Sequence, residues 1–251
     1  MITVTINEQS FHLFNEWKDI TIDRASRVHD IHMPASLRKC YEVALNRSIS
    51  EEEAQRQLDE ATKEISFEDQ YKFIPKYFGE VLLALSDVPM EMITKIDVNS
   101  IRAVYHTYLK KIVEGIHFIP SDYQPNQIKS FEFECETYFL PTDKKVFGQS
   151  VPMVDLTALE FTESADLAIE LAKISESKDL SRIANLIAIL CRKQGEAYDE
   201  DVCLKRGEAF KNLSMDLAWD VFFSLTAPLA LLSQSVITYF LTKEMAKYQK
   251  N

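Results

Sequence analysis

The amino-acid sequence predicts a mainly α-helical protein, a multi-helix bundle with a small N-terminal β-hairpin and a short β insert near residues 130–148. Glycine is rare, with five among 251 residues, so few tight turns are expected. Long stretches are rich in Leu, Ala, Glu and Lys, which favour helices. Apolar and polar residues alternate in residues 1–14 and 130–138, the pattern of a half-buried strand.

The N-terminal hairpin is predicted for residues 1–14, where Thr3-Val4-Thr5-Ile6 alternates before a turn at Asn7-Glu8-Gln9. Asn15 follows the second strand and is expected to cap a helix that ends near Ile31. Capping residues, prolines and apolar spacing then predict five more helical segments. These are a helix opened by Pro34, one from the Ser50 capping signal to about Ile65, one over Phe67–Leu85 that starts or kinks at Pro75, a short one over Pro89–Lys95, and one over Val98–Glu114.

A segment punctuated by four prolines, residues 119–152, separates the front helices from the rear ones. Residues 130–138 alternate strictly and predict one strand, with Lys144–Phe147 as a candidate return strand. The predicted domains are therefore 1–118, 119–153 and 154–251, with one continuous domain as the alternative. The rear helices are predicted over Leu156–Ile174, 180–192 and Asp199–Phe210, with a final helix opened by Asn212 or Ser214 and kinked or broken at Pro228.

The charge of the chain is strongly negative, with 28 basic and 39 acidic side chains and a formal net charge of −11. An acidic surface repels nucleic acid and anionic lipid, so we expect neither among the partners. The four cysteines are scattered without a CxxC pair, and the first residues lack the basic region of a signal peptide. Both features favour a reducing cytoplasm.

Catalytic and cofactor motifs are absent from the sequence, which contains no GxxxxGK[ST], GxGxxG, GxSxG or HExxH. His29 and His32 provide half a zinc site at most. Glu114 and His117 have the spacing of one di-iron ligand pair, but such a site needs a second pair and two further glutamates. We therefore predict no enzyme activity and no metal or cofactor. A metal- or carboxylate-based enzyme built on Glu114 and His117 stays open as an alternative.

The C-terminal region is the most apolar part of the chain. Residues 221–242 carry no charge and are numerous enough to span a membrane, but Ser233-Gln234-Ser235 at their centre suits a covered helix better. Apolar side chains occupy nearly every angle of this helix, so either the body of the chain or a partner, including a second copy, must cover it. The candidate partner-binding residues are Trp219, Phe222, Phe223, Tyr239, Phe240, Arg192 and Lys193.

Two stretches resemble proteins of tailed bacteriophages and prophages. The first is Asn15-Glu16-Trp17-Lys18-Asp19-Ile20-Thr21 after the predicted hairpin. The second runs from Leu186 to Glu200 as LIAILCRKQGEAYDE and continues with Arg206, Phe210, Leu213-Ser214-Met215 and Phe222-Phe223. The similarity covers residues 1–30 and 180–225, about a third of the chain. It is to phage proteins identified as tail assembly chaperones or as uncharacterised virion-assembly proteins.

This resemblance implies a non-enzymatic protein of phage morphogenesis in the cytoplasm of a bacterial host. Tail assembly chaperones bind the long, helical, apolar tape measure protein and keep it soluble while the tail tube polymerises. The resemblance therefore implies a protein partner, such as a tape measure protein or another phage structural protein. A structural component of the virion, in its neck, head-associated parts or tail, is the alternative.

Overall fold

The structure is a computed structural model that describes residues 1–6, 8–46, 48–118, 126–141, 144–146, 149–151 and 180–225. It confirms the mainly α fold class, with short antiparallel strand pairs beside the helices. The chain divides into two compact units. The first unit comprises Met1–Ile20 and Arg24–Ser121, and the second comprises Thr21–Asp23 and Asp122–Asn251. The predicted division at residues 118 and 153 into three segments stays a prediction.

The front of the chain contains every helix predicted for it. Its elements in order are β1 (Ile2–Ile6), β2 (Gln9–Leu13), a 3-10 turn (Trp17–Asp19), α1 (Ile22–Asp30), α2 (Ala35–Ala44), α3 (Glu51–Lys63), a π-helical turn (Asp69–Phe73), α4 (Ile74–Ala84), α5 (Met90–Ile93), α6 (Val98–Val104), a second π-helical turn (Tyr105–Leu109) and α7 (Lys110–Phe118).

The predicted N-terminal hairpin is confirmed, with β1 and β2 paired antiparallel and Val4 opposite Phe11. Glu8 adopts a φ of 64° in the turn, as a two-residue hairpin connection requires. Phe11 and Leu13 are buried, and the N–H of Phe14 donates to the Leu85 carbonyl at 2.9 Å. The alternating pattern therefore places one face of the hairpin against the first unit's helices.

The expected cap at Asn15 is wrong. A 3-10 turn follows Asn15, and the backbone is extended at Ile20 (φ −103°, ψ 121°), so α1 begins only at Ile22. Within the described residues the Asn15 Oδ1 atom is buried and accepts no hydrogen bond. Extended backbone on both sides of the short turn interrupts the helix that the sequence pattern favoured.

Two other predicted helix starts are confirmed. Pro34 directly precedes α2, and Ser50 caps α3 because its Oγ atom accepts the Glu53 N–H at 3.3 Å. One face of α2 carries Leu37, Cys40, Tyr41 and Ala44. This face is only partly buried, since Tyr41 alone among the four is fully covered.

The core of the first unit is aromatic. Tyr77, Phe78 and Tyr105 are each at most 2% exposed, and the Phe78 and Tyr105 rings stack with centroids 4.0 Å apart. The hydroxyl groups of Tyr41 and Tyr105 share a hydrogen bond of 2.6 Å. Burial raises the pKa of Tyr41 to about 12, so this phenol stays protonated at neutral pH.

Among its described residues, the second unit contains three further helices and two further strand pairs. Its elements are β3 (Ser130–Phe133), β4 (Glu136–Phe139), β5 (Lys144–Val146), β6 (Gln149–Val151), α8 (Ser181–Leu190), α9 (Glu200–Phe210) and α10 (residues 215–225). The helix predicted over Asp199–Phe210 is confirmed as α9, and Asp199 caps it because its Oδ1 atom accepts the Val202 N–H at 3.0 Å. Residue 215, after Ser214, is the first of the final helix, which agrees with the second of the two predicted starts.

The single strand predicted over residues 130–138 is wrong, because this stretch folds back on itself as the β3–β4 hairpin. Glu134 and Cys135 form the turn with φ values of 50° and 64°. In one continuous strand Tyr138 would share a face with the glutamates, whereas in the hairpin it lies opposite Phe131. The two rings stack with centroids 5.5 Å apart. Pairing of these aromatic side chains favours the fold-back.

The return strand predicted near Lys144–Phe147 is present, but its partner differs from the prediction. β5 pairs antiparallel with β6, with Lys145 opposite Ser150, and does not join β3 or β4. The connection between β5 and β6 is short, so the local hairpin forms without any long loop closure.

The packing of α8 against α9 forms much of the core of the second unit. Ile183, Leu186, Ile187 and Leu190 have the spacing of one helix face, and all four side chains are buried along α8. Gly207 on α9 faces Asn185 on α8, and a Cβ atom at this position would collide with the Asn185 side chain. Glycine therefore permits the close approach of these two helices.

Three predictions lie outside the described residues: the helix over Leu156–Ile174, the kink at Pro228, and the apolar helix beyond residue 225. Within the described ranges, no helix combines the length and the apolar character needed to cross a bilayer.

Candidate functional site

The predicted partner-binding aromatic residues of α10 are largely covered. Trp219 is 1% exposed and Phe222 is 6% exposed, while Phe223 is half-buried. The Trp219 ring lies 5.7 Å from each of the two phenylalanine rings, measured between centroids. Tyr239 and Phe240 lie outside the described residues. Trp219 and Phe222 thus contribute to packing within the second unit, and their predicted role in binding a partner stays a prediction.

The predicted basic residues Arg192 and Lys193 follow α8 and contact the β3–β4 hairpin. The Phe139 N–H donates to the Arg192 carbonyl at 2.8 Å, and the Arg192 N–H donates back at 3.2 Å. Lys193 pairs with Glu136 at 3.0 Å, and this hydrogen bond raises the pKa of the lysine. These contacts hold the hairpin in place, and whether the two side chains also bind a partner stays a prediction.

Arg206 on α9 is a buried cation. Its guanidinium donates to the carbonyl oxygens of Cys191 at 2.8 Å and Ala188 at 3.3 Å, and it pairs with the Glu196 carboxylate. These carbonyls lie at the C-terminal end of α8, where the helix leaves acceptors unpaired and favours a positive charge. The arginine therefore has a structural role.

Glu114 and His117, the candidate metal pair, lie on α7 with different neighbours. The His117 ring stacks on His29 with centroids 5.5 Å apart, and its Nε2 atom lies 3.3 Å from the Tyr77 hydroxyl. Burial, followed by the nearby His29, lowers the pKa of His117 to about 4. Glu114 pairs with Lys110 at 3.7 Å, and burial raises the pKa of this carboxyl. The described residues contain no group of three or more potential metal ligands.

An exposed cluster of aromatic side chains lies around the first π-helical turn. Phe67 is 78% exposed, Tyr71 is 61% exposed and Phe73 is 41% exposed. The Phe67 and Tyr71 rings contact each other with centroids 4.5 Å apart. Isolated exposed apolar side chains are common, but three large rings within seven residues form a patch. We refer to Phe67, Tyr71 and Phe73 as the aromatic ridge.

Pro75 explains why these rings point outward. Proline has no N–H, so it cannot donate to a carbonyl in the preceding turn. The Ile74 N–H instead donates to the Asp69 carbonyl, which makes the turn π-helical, and Arg102 Nη2 donates to the Gln70 carbonyl at 2.6 Å. The wider turn changes the angular position of the residues before it relative to α4. The ridge is therefore held by hydrogen bonds within the turn and from α6.

A groove lies beside the ridge and shares Phe73 with it. Its volume is about 350 Å³. Pro34, Ala35, Phe73 and Tyr77 supply its apolar lining, and His32, Asp69, Lys76 and Glu80 supply its polar lining. A concave apolar surface with a polar border beside exposed rings is typical of a protein interface.

Charges of both signs lie beside the ridge. Lys72 pairs with Glu68 at 3.0 Å, and Lys76 pairs with Glu80 at 3.7 Å. Among the described residues, no cation lies within ion-pair distance of the Asp69 carboxylate, but the Arg102 guanidinium binds the carbonyl of the next residue, Gln70. The three acidic side chains are therefore matched in number by three basic ones.

Reasoning from the sequence alone missed the aromatic ridge, because Phe67–Leu85 has the apolar content of a single buried helix. Ile74, Tyr77 and Phe78 are buried as that interpretation requires, whereas the three ridge residues are not. Pro75 is the feature of the sequence that could have indicated the ridge. It prevents the residues before it from continuing the apolar stripe of α4 at the same helical spacing.

The described residues therefore form a mainly helical protein with an exposed aromatic ridge beside a groove. No family model matches the chain, and neither a curated protein nor a solved structure is significantly similar to it.

Proposed function

We propose that this protein is a non-enzymatic morphogenesis protein of a tailed bacteriophage, acting as a tail assembly chaperone in the cytoplasm of the host. Its partner is an apolar helical protein such as a tape measure protein. The resemblance of residues 1–30 and 180–225 to phage proteins supplies this particular role. The aromatic ridge supplies the surface that binds.

The exposure of Phe67 and Tyr71 is the observation that carries the proposal. An aromatic ring in water forgoes about 2 kcal/mol of burial free energy, so a partner that covers both rings gains several kcal/mol. The rings are held in contact and the turn that bears them is fixed by Arg102, which lowers the entropy lost on binding. These properties support a binding role, because no gain in folding stability accounts for rings left in solvent.

The net charge of −11 supports a role in keeping a partner soluble. Side chains of one sign repel one another between complexes, and acidic residues favour solubility more than basic ones do. A chaperone that covers apolar segments of a long helix with an acidic body would keep the complex dispersed. The same charge disfavours binding to nucleic acid or anionic membranes.

Co-expression with a tape measure protein from the same genome tests the proposal. We expect the tape measure protein to stay in the supernatant with the wild-type chain and to precipitate without it. The double substitution Phe67→Ser and Tyr71→Ser should abolish this effect while the chain itself folds normally. A tape measure protein that is equally insoluble with and without the wild-type chain would refute the chaperone role.

Mass spectrometry of purified phage particles separates the chaperone from a structural component of the virion. A chaperone leaves when assembly is complete, so we expect no stoichiometric amount of the chain in mature particles. Many copies per particle would instead establish a structural component of the neck, head-associated parts or tail.

A further inference from the structure

We infer that two copies of the chain associate through the aromatic ridge about a two-fold axis. Residues 67–73 form the first turns of the helix that continues as α4, and they include all three ridge residues. A two-fold interface brings one surface against a second copy of itself, so that surface must be complementary to itself. This segment meets the requirement in its apolar side chains and also in its charged ones.

The apolar row of this segment consists of Phe67 and Tyr71. These residues are four apart, which places them on one face of the helix, and their rings contact each other with centroids 4.5 Å apart. When a second copy runs antiparallel, with the two-fold axis beside residues 69 and 70, Phe67 of each copy lies opposite Tyr71 of the other. Four rings that are in solvent in the single chain would then pack together, and aromatic pairs of this kind favour association.

The charged row lies next to the apolar row and consists of Glu68 and Lys72, again four residues apart. The two side chains pair at 3.0 Å within the chain and are 60% and 67% exposed. The same axis places Glu68 of each copy opposite Lys72 of the other, so two ion pairs can form between the copies beside the four rings. A parallel arrangement would instead bring Glu68 against Glu68, which costs free energy. The order of the charges therefore selects the antiparallel arrangement.

The local charge permits this approach although the whole chain has a net charge of −11. The three acidic side chains beside the ridge are matched in number by three basic ones. Salt at physiological concentration screens exposed charges that lie more than about 8 Å apart, so the acidic residues farther away contribute little repulsion. The complementarity of the segment to itself is thus not outweighed by the charge of the two bodies.

The area of the ridge predicts a weak dimer. A large aromatic side chain buries about 150–250 Å² when it is fully covered, whereas a standard interface buries about 800 Å² on each partner. Three rings that are already partly covered supply less than this area. We therefore expect monomers and dimers to exchange at micromolar concentrations.

Self-association and the binding of a tape measure protein would use the same rings, so the two would exclude each other. The dimer would cover the rings until the partner displaces the second copy. This consequence rests on the proposed function, whereas the dimer itself does not.

Sedimentation equilibrium of the full-length chain tests the dimer. Phe67→Ser with Tyr71→Ser should weaken self-association at least tenfold, and circular dichroism should report an unchanged helical content. Phe139→Ser is the matched control, because Phe139 is 42% exposed and belongs to the second unit, and it should associate as the wild type does. A wild-type chain that stays monomeric at its highest soluble concentration would overturn the inference.

A pair of charge variants tests the two-fold arrangement. Glu68→Lys leaves two lysines in the charged row, and Lys72→Glu leaves two glutamates. Each variant alone should associate about tenfold more weakly than the wild type, because like charges face each other across the axis. An equimolar mixture should recover the wild-type affinity, since the lysines of one copy then face the glutamates of the other. Both variants lack the ion pair within the chain, so recovery reports contacts between copies.

A mixture that associates no better than the single variants would overturn the inference, as would a dimer that persists when both ridge rings are removed. Failure of the two proposals is distinguishable. If the chain dimerises at the ridge but a tape measure protein is not kept soluble, the chaperone role alone fails. If a tape measure protein is kept soluble by a chain that is monomeric at every concentration, self-association alone fails.

Discussion

Two aromatic clusters among the described residues have similar composition and opposite exposure. In the second unit, Phe131 and Tyr138 pack around Phe210, and all three side chains are at most 8% exposed. The Tyr138 and Phe210 rings meet edge to face with centroids 5.0 Å apart. In the first unit, the Phe67 and Tyr71 rings of the aromatic ridge contact each other, and all three ridge side chains are exposed to solvent.

The difference between the clusters comes from backbone geometry rather than residue type. The β3–β4 hairpin brings Phe131 and Tyr138 to one face, where α9 covers them with Phe210. The π-helical turn before Pro75 places the ridge residues away from the buried stripe of α4. Buried rings stabilise the fold, whereas exposed rings leave binding free energy available to a partner. The comparison therefore predicts large stability effects at one cluster and small ones at the other.

Removal of the central ring of the buried cluster should have the largest effect on stability. Phe210→Ala deletes a fully buried ring and leaves a cavity, so we expect a loss of about 3–5 kcal/mol in the free energy of unfolding. Phe67→Ala is the matched control, with an expected change within about 0.5 kcal/mol. Urea denaturation followed by circular dichroism measures both. Similar losses for the two variants would remove the distinction between the clusters.

Arg206 should rank next, because its guanidinium satisfies two carbonyls at the end of α8 and pairs with Glu196. Arg206→Ala leaves these acceptors without a donor, and we expect a loss of about 2–3 kcal/mol in unfolding free energy. The neighbouring Lys205 is exposed, and Lys205→Ala should change stability by no more than about 0.5 kcal/mol. A loss at Arg206 as small as that at Lys205 would show that the buried cation does not hold the helix end.

Acid should destabilise the first unit through His117, whose ring stacks on His29. The folded state lowers the pKa of His117 from 6.5 to about 4, so the unfolded chain binds the proton more tightly. The stabilising contribution is complete above pH 6.5 and disappears as the pH falls to about 4. Its size is roughly 2 kcal/mol, since the ring keeps some contact with solvent.

The control for this pH effect is His117→Gln, which keeps a polar group near Tyr77 but does not titrate. Urea midpoints at pH 7 and pH 4.5 should fall further for the wild type than for the variant. Carboxylates elsewhere contribute equally to both proteins and cancel in the comparison. Identical pH dependence in the two proteins would contradict the assignment.

The smallest expected effect is at the turn that folds the buried cluster together. Cys135 has a φ of 64°, a region that costs a residue with a Cβ atom roughly 1 kcal/mol and glycine almost nothing. Cys135→Gly should therefore raise the unfolding free energy by about 0.5–1 kcal/mol. Cys135→Ser removes the thiol without relieving the backbone and should leave thermal stability unchanged. If both variants behave alike, backbone strain at this turn does not limit stability.

The sequence predicted helices well where a single local feature, such as a capping residue or apolar spacing, determines them. Ser50 caps a helix as expected, the helix predicted over Asp199–Phe210 is present, and the apolar spacing of α8 matches its burial. The fold-back after Phe133 was missed because alternation continues through a two-residue turn. The position of Tyr138 could have indicated the fold-back. In one continuous strand, this ring would lie on the same face as the glutamates.

The exposed aromatic ridge was harder to predict than the fold. Apolar content indicated a surface at the C-terminal helix, but Trp219 and Phe222 are covered within the second unit. Exposure depends on which neighbouring segments cover a ring, and those contacts join residues far apart in the chain. Composition and helical spacing describe only local sequence, so they predict neither the exposure of a ring nor the distant contacts that cover it.

Hydrogen–deuterium exchange on the complex with a tape measure protein tests the central claim most directly. At exchange times of seconds to minutes, we predict that amides of residues 67–77 become protected on binding. Those of residues 131–138, beside the buried cluster, should exchange as they do in the free chain. Protection confined to other segments, with no change at residues 67–77, would contradict the claim that the exposed rings are the docking surface.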